Sequence, residues 1–278
     1  MSAKPEDPYG TSPSLSTIRE VPVQVWEDGK RKDVQDVVVE ERPIGLLYQG
    51  IPHVVMLASP ADLEDLGVGF TLSEGIAQEP GDILSVGVSQ ADDSLTVNLG
   101  ISSRSFAALL RQRRNLAGRT GCGLCGVENV EDAIRTPKHV GDGVRISSDE
   151  LHAQLSALQE LQPVNARTGS VHAAAWALPG KGIQVVREDV GRHNALDKVI
   201  GALVRAGKNP GEGYFIITSR ASFEMIQKAA MVGVSLVAAV SAPTALAIDV
   251  AVKNGVTLVG FARAHRHVVY SHRERIEG

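Results

Sequence analysis

Long hydrophobic runs, aromatic side chains and an excess of positive charge are all scarce in this sequence. No stretch of about 18 apolar residues occurs, so no membrane-spanning helix is predicted, and residues 1–16 lack the apolar core of a secretory signal. Aromatic residues make up 4% of the chain, which argues against a surface that stacks bases or sugars. The formal net charge is −4, so no general basic surface is available to hold nucleic acid. We therefore expect a cytoplasmic protein that binds neither membranes nor nucleic acids.

Cysteine is equally rare, and the chain has its two cysteines close together, at Cys122 and Cys125. Two thiols cannot form a disulfide framework. They lie in the glycine-rich segment 119–126 (RTGCGLCG), whose glycines allow the backbone to bend freely. Nearby cations lower the pKa of a thiol and favour the nucleophilic thiolate, and four arginines precede this pair: Arg111, Arg113, Arg114 and Arg119. Such a pair is suited to receive a group from one partner and pass it to another.

Other interpretations of the cysteine pair stay open. Zinc needs four ligands, and the chain has no second CxxC; the nearest histidine in sequence is His139. A thioredoxin-type redox pair follows a strand and opens a helix, whereas an arginine-rich stretch precedes this one. Residues 121–126 also match GxGxxG, but residues 111–120 cannot form the buried strand that a dinucleotide-binding loop requires. We expect no metal site of the protein's own.

The chain divides into three predicted parts: a disordered tail at 1–17, a β-rich domain at 18–146 that carries the CxxC loop, and an α/β domain at 147–278. In the first domain, residues 60–77 are predicted as a helix with Ser59 as its cap, residues 83–99 as a hairpin, and residues 103–117 as a short basic helix or loop. Ser147 and Glu150 form a capping box before a helix. From residue 183 onwards strands and helices alternate, with 256–261 as the last strand, which is typical of a mostly parallel, helix-covered sheet.

The strand ends of the α/β part predict a binding site, because ligands of open α/β sheets bind outside the carboxyl ends of the strands. Hydroxyl groups and arginines follow these ends, including Ser219, Arg220, Ser241 and Arg263. Serine and arginine at helix starts are suited to bind phosphate, so a phosphorylated ligand is predicted. The alternative is that the serines only cap helices and the arginines are solvated.

Several other polar residues of this part have two interpretations. His172 and His193 are candidate bases or ligands, although a structural role is equally compatible with their positions. Asp197 and Lys198 are expected to be solvated, and so is most of the basic stretch 263–275.

Together these segments resemble the family of formate dehydrogenase accessory sulfurtransferases. The resemblance rests on seven blocks that span nearly the whole chain after the tail: SPADLEDLGVGFTLSEGI (59–76), GRTGCGLCGVE (118–128), TGSVHAAA (168–175), REDVGRHNALDKVIG (187–201), TSRASFEMIQKAA (218–230), SAPTALAI (241–248) and VGFAR (259–263). It implies a cytidine-deaminase-like three-layer α/β/α domain with a mixed sheet, an added N-terminal β-rich domain, and a homodimer.

The resemblance also implies an activity. A cysteine desulfurase would supply persulfide sulfur, and the chain would transfer it to a molybdenum or tungsten bis-pterin guanine dinucleotide cofactor that formate dehydrogenase then receives. The persulfide cysteine would be Cys122, with Cys125 as the second thiol, and the cofactor-contacting loop would comprise Phe261, Ala262, Arg263, Ala264, His265 and Arg266. The sequence departs from the family at Ala264-His265, where glycine is expected.

Three alternatives to sulfur transfer are considered. Zinc deaminases need H-x-E before P-C-x-x-C, and the H-x-E of this chain, at 272–274, follows the cysteines, so deamination is not predicted. A non-catalytic cofactor-binding chaperone, and a CxxC protein of thiol–disulfide or zinc type, remain alternatives.

Overall fold

A computed structural model describes residues 16–91, 94–116 and 139–278. The predicted tail, apart from its last two residues, and the whole CxxC segment with Cys122 and Cys125 lie outside these ranges, so both stay predictions. Within the described ranges, no helix is long and apolar enough to cross a membrane.

The amino-terminal part consists of a two-stranded ribbon and a four-stranded sheet. The ribbon pairs β1 (Ile18–Glu27) with β2 (Lys30–Val39) around a turn at Asp28-Gly29, where both residues have positive φ. The sheet has the order β4-β3-β6-β5, in which β3 runs parallel to β6. Its strands are β3 (Arg42–Tyr48), β4 (Ile51–Ala58), β5 (Ile83–Ala91) and β6 (Ser94–Ile101). The predicted hairpin is confirmed, because β5 and β6 pair antiparallel.

Two helices cover one face of this sheet, α1 (Leu63–Ser73) and α2 (Ser103–Leu116). Their apolar side chains share one core with alternate residues of the strands, such as Ile44 and Leu46, as the period of two in a half-buried strand requires. The segment predicted at 103–117 as a helix or loop is a helix over its described residues, 103–116. Ser59 does not cap α1, contrary to prediction: the helix begins after Asp62, which has φ +53, and the Ser59 hydroxyl instead accepts a hydrogen bond from the Val190 amide.

The carboxyl-terminal part is built on a six-stranded mixed sheet with the order β13-β12-β11-β10-β8-β9. Its strands are β8 (His172–Leu178), β9 (Gly182–Asp189), β10 (Tyr214–Ile217), β11 (Leu236–Ala239), β12 (Thr257–Arg263) and β13 (Arg266–Val269). The expectation of a mostly parallel sheet is wrong, since only β10, β11 and β12 pair parallel in this sheet. The expectation that 256–261 is the last strand is also wrong, because β13 and β14 (Ile276–Glu277) follow it.

Helices cover both faces of this sheet. On one face lie α5 (Arg192–Arg205), α6 (Phe223–Met231) and α7 (Ala245–Asn254), which share a core with Phe215 and Ile217. On the other face lies α3 (Ser148–Glu160), which packs with Tyr214 and Ile216. A short helix, α4 (Pro163–Thr168), follows α3. Because both faces are buried, the central strands are continuously apolar. Ser147 caps α3 as predicted, accepting a hydrogen bond from the Glu150 amide at 3.1 Å.

The two parts meet along α1 and α5, where the backbones approach closely. A Cβ atom added at Gly69 would lie 1.7 Å from the carbonyl oxygen of Asp197. Asp197 and Lys198 are 1% and 0% exposed, so the expectation that they are solvated is wrong. The Asp197 carboxylate accepts hydrogen bonds from Ser73 of α1 and from Lys228 of α6. Glycines and buried charged groups therefore join α1 to α5, together with an apolar cluster in which Val68 and Leu72 pack with Val204.

Residues 275–277 lie at the end of the six-stranded sheet where β11 and β12 begin, which we call the amino edge. β14 pairs parallel with β7 (Ile146–Ser147). The Arg275 guanidinium is buried and donates to the backbone carbonyls of Gly141, Asp142 and Gly255. The expectation that the stretch 263–275 is solvated is therefore wrong for Arg275, which is held by backbone carbonyls of three distant segments, the third through Ser235.

Candidate functional site

The carboxyl ends of four strands meet at one edge of the six-stranded sheet. β10, β11 and β12 run parallel, and β8 runs antiparallel to both β9 and β10, so β9 points the same way as β10. We call the four segments that contain these strand ends and the residues after them, 187–194, 218–222, 240–244 and 260–266, the carboxyl edge. Ligand sites of open α/β sheets form at such an edge.

Backbone hydrogen bonds join three of these loops. The Ala221 amide donates to the Ala242 carbonyl at 3.2 Å, and the Thr244 amide donates back to the Ala221 carbonyl at 3.0 Å. The Phe261 amide donates to the Ser241 carbonyl at 3.1 Å. The structure therefore brings Ser219, Arg220, Ser241 and the 261–266 loop, which are far apart in sequence, to one edge.

The predicted cofactor loop is the turn of a β-hairpin rather than a strand-to-helix loop. Ala264-His265 forms the turn between β12 and β13, and the pairing shifts register between Gly260 and Arg263. Phe261, next to this shift, has φ +50 and is 36% exposed, a strained conformation for a residue with a side chain. Ala262 is fully buried and packs in the core. A bulge of this kind re-aims side chains at the rim of a sheet.

Three exposed arginines lie at the carboxyl edge, namely Arg220, Arg263 and Arg266. Arg263 and Arg266 are direct cross-strand neighbours, and like charges in that position repel each other. Within the described ranges, no carboxylate lies within ion-pair distance of any of the three. The edge therefore presents unneutralised positive charge, which is suited to an anionic ligand.

The two predicted serines contribute less to a ligand site than their positions after the strand ends indicate. Ser219 is 4% exposed, and its hydroxyl donates to the Arg220 carbonyl, so it supports the loop from beneath. Ser241 is half-buried and uses its carbonyl to hold Phe261. Neither serine caps a helix; the residues in the cap positions of α6 and α7 are Ser222 and Thr244.

A histidine–carboxylate pair lies at the carboxyl edge, beside segments 187–194 and 218–222. His193, at the start of α5, lies with its Nε2 atom 2.9 Å from Oε2 of Glu224 in the first turn of α6. The hydrogen bond from His193 is the main reason that the pKa of Glu224 is lowered. His172 lies nearby at the start of β8, and burial, followed by the charge of Arg192, lowers its pKa. Glu224 is therefore a carboxylate and His172 a neutral imidazole at neutral pH.

Sequence reasoning missed Glu224 altogether. A glutamate in the first turn of a helix is usually explained by the helix dipole, so nothing in the sequence distinguishes it. Only the fold shows that Glu224 has a partner, because it places the start of α5, with His193, opposite the first turn of α6, with Glu224.

The fold and the site define a class: a mixed α/β protein with a cationic edge formed by strand ends. Comparison with known proteins then gives the family. The profile of the FdhD/NarQ family matches residues 39–277, and the chain belongs to this family.

Curated relatives match the chain over its length. The chain is 46% identical to "Sulfur carrier protein FdhD" of Xanthomonas campestris pv. campestris strain B100, over 100% of this chain and 97% of that protein. It is also 46% identical to the protein of the same name from Cupriavidus necator, over 92% of this chain and 88% of that protein.

A solved structure has the same fold. It is the crystal structure of a protein assigned as a formate dehydrogenase accessory protein from Desulfotalea psychrophila, with a TM-score of 0.76 and 21% sequence identity over 94% of this chain and 100% of that one. The mixed α/β fold is thereby confirmed.

Proposed function

We propose that this protein is a sulfur carrier for the maturation of formate dehydrogenase. The observation that carries the proposal is membership, over the full chain, of a family whose curated relatives are named sulfur carrier proteins. A carrier needs a nucleophilic thiol, and the cysteine pair of the 119–126 segment is the source of thiols in this chain.

In the first step, the Cys122 thiolate attacks the outer sulfur of a persulfide that a cysteine desulfurase carries. The new S–S bond forms on Cys122 as the donor's S–S bond breaks and the donor cysteine leaves as a thiolate. The exchange conserves electrons, because one thiolate and one persulfide are consumed and one of each is formed. Cys125 serves as the second thiol.

In the second step, the outer sulfur passes to a molybdenum or tungsten bis-pterin guanine dinucleotide, the substrate of the proposed sulfurtransferase. The acceptor supplies the electron pair of the new bond to sulfur, and Cys122 leaves as a thiolate. The pyrophosphates of this substrate are suited to the unneutralised arginines of the carboxyl edge, including Arg263. Formate dehydrogenase is the client that receives the sulfurated cofactor.

Three finer features belong to the same proposal. The chain acts in the cytoplasm and as a homodimer, as the family resemblance implies. The six-stranded layer is of the cytidine-deaminase type, which is consistent with a mixed sheet between two layers of helices.

Two variants test whether the carrier thiol and the cofactor edge are separate functions. Cys122→Ala should bind GDP normally but gain no sulfur, whereas the wild type should gain about 32 Da, one sulfur atom, after incubation with a cysteine desulfurase and cysteine. Arg263→Ala should gain the sulfur but bind GDP more weakly, by about 1.5–3 kcal/mol for the loss of a charge-assisted hydrogen bond. Intact-mass analysis and calorimetry measure the two effects.

Two other outcomes would favour different assignments. A persulfide that persists in Cys122→Ala and disappears in Cys125→Ala would exchange the roles of the two thiols. Full restoration of formate dehydrogenase activity by Cys122→Ala, in cells that lack this protein, would favour a cofactor-binding chaperone and contradict sulfur transfer.

A further inference from the structure

A guanine dinucleotide presents more than phosphate to a binding site. Its guanine and pterin rings share a 2-amino-4-oxopyrimidine unit, whose 2-amino-4-oxo edge has two adjacent N–H donors. An arginine cannot bind these donors, because it has no hydrogen-bond acceptor. A carboxylate is the side chain that only accepts hydrogen bonds, and a few such placed polar groups give a pocket its specificity. A group at the carboxyl edge that binds these donors would be a carboxylate with one oxygen that is not already hydrogen-bonded.

Three carboxylates lie on the strand-end loops or in the first turn of the helices that follow them. Glu188 uses both oxygens to accept the Val164 and Asn165 amides at 2.9 and 2.7 Å. Asp189 is fully buried and pairs with Lys198 at 2.7 Å. In the part of the chain that the structure describes, these two carboxylates are therefore committed to the fold.

Glu224 differs from both. Its Oε2 accepts from His193 at 2.9 Å and from the Ser222 hydroxyl at 3.3 Å, while its Oε1 makes no hydrogen bond to the described residues. The side chain is 35% exposed at the edge. Because the His193 hydrogen bond lowers the pKa of Glu224, the carboxylate stays ionised and can only accept.

The position also fits a ligand whose phosphates lie at the arginines. Glu224 follows the end of β10, and Arg263 ends β12, two strands away in the same sheet. Neighbouring strands are about 4.8 Å apart, so the two groups are separated by roughly 10 Å along the edge. A base and the phosphates of one nucleotide can occupy these two positions together.

We propose that Glu224, oriented by His193, is the specificity residue that binds the 2-amino-4-oxo edge of the cofactor's guanine or pterin ring. Oε1 of Glu224 accepts the ring and amino N–H groups through its two lone pairs, and His193 is a positioning residue that holds the carboxylate toward the edge. This inference rests on the proposed cofactor-binding function and names the side chain that recognises the ring.

The test is calorimetry of the full chain with two pairs of probes. GDP is compared with IDP, which lacks the 2-amino group, and pterin is compared with lumazine, which has an oxo group in its place. A site that hydrogen-bonds an N–H group discriminates against an analogue that lacks it. The wild type should therefore prefer the amino member of at least one pair. Glu224→Gln should lose affinity for that member on the order of ten- to a hundredfold and should lose the preference.

The pair that responds identifies the ring: the GDP and IDP pair assigns Glu224 to guanine, and the pterin and lumazine pair assigns it to the pterin. Glu212→Gln is the matched control, since Glu212 is exposed, carries the same charge and precedes β10 at the opposite end of the strand. It should keep the preference of the wild type. His193→Ala should weaken the preference in the same direction as Glu224→Gln.

Two failures are distinguishable. If the wild type binds GDP and Glu224→Gln keeps the same affinity and preference, the inference is wrong and the proposed function stands. If the wild type binds none of the four probes, cofactor binding and the inference both fail. Should Glu224→Gln not fold, as judged by its thermal unfolding, Glu224→Asp is measured instead; it keeps the charge but shortens the reach, and unchanged preference in it overturns the inference.

Discussion

Charged side chains buried between the two parts of the molecule are the least expected residues of this fold. Lys198 is fully buried, with Nζ 2.7 Å from Oδ2 of Asp189 and 3.0 Å from the carbonyl oxygen of Ser59. Asp189 also accepts the Ser59 and Gly191 amides. A buried pair of this kind is costly to break because the remaining charge is left uncompensated. Lys198 therefore ties α5 to the loop before α1.

Lys198→Met should destabilise the protein by about 3–5 kcal/mol, since the buried Asp189 side chain would lose its charged partner. Urea unfolding followed by circular dichroism measures the change. Lys253→Met, at an exposed position of α7, is the control and should stay within about 0.5 kcal/mol of the wild type. Equal midpoints for the two variants would contradict the structural role of Lys198.

Among the elements, α2 is held at its start by a carboxylate from outside the helix. Asp82 accepts the Ser102 hydroxyl at 2.6 Å and two hydrogen bonds from Arg104 at 3.1 and 3.0 Å. These donors favour the ionised form, and the Ser102 hydroxyl contributes most to lowering the pKa of Asp82 from 3.8 to about 2. The start of α2 therefore depends on the charge of Asp82.

Asp82→Asn should be less stable than the wild type at neutral pH, and the difference should shrink in acid. The folded state depresses the pKa of Asp82, so its stabilisation is complete above pH of about 4 and is lost as the pH falls toward about 2. Thermal unfolding midpoints of both proteins from pH 7 to pH 3 measure the effect. A gap that stays constant over this range would show that Asp82 is not linked to stability in this way.

At the scale of the whole molecule, the contact between α1 and α5 fixes the two parts against each other. Gly69 and Gly201 allow it, because a Cβ atom at Gly201 would lie 1.9 Å from the carbonyl oxygen of Asp65. No side-chain rotation can relieve a clash with backbone. The two helices can therefore keep this distance only with glycine at both positions.

Gly69→Ala should destabilise the protein on the order of 3 kcal/mol, the upper range of overpacking costs, because the helices must separate. Gly81→Ala is the matched control, since a Cβ atom there meets nothing within 4 Å. Urea unfolding of both variants gives the comparison. A Gly69→Ala protein as stable as Gly81→Ala would mean that the helices move apart at little cost.

Local sequence patterns predicted which segments form helices and strands better than they predicted which of these elements pair with one another. The capping box at Ser147 and the hairpin of β5 and β6 are set by short-range hydrogen bonds and turn residues, which the sequence contains. Sheet order and strand direction depend on contacts between distant segments, so the antiparallel pairing of β8 with β10 and the strand β13 were not predicted. Serine is a residue type that often caps helices, but the Ser59 hydroxyl accepts a hydrogen bond from the Val190 amide, 131 positions away.

The same limit applies to the candidate site. Strand-end arginines and hydroxyl groups can be found by their order along the chain, because strands of one direction end at one edge. The burial of Asp197 and the pairing of His193 with Glu224 arise where helices pack, and no local spacing records which helices are neighbours.

The position of Arg275 in the sequence also determines the order in which the two sheets can be completed during synthesis. Among the described residues, the strands of the four-stranded sheet all lie at or before Ile101, so they can pair before most of residues 147–278 are translated. The six-stranded sheet lacks its Arg275 contacts and the β7–β14 pair until residues 275–277 are translated. A nascent chain arrested before residue 275 therefore leaves the amino edge of that sheet open, and the carboxyl edge forms on a scaffold that is completed last.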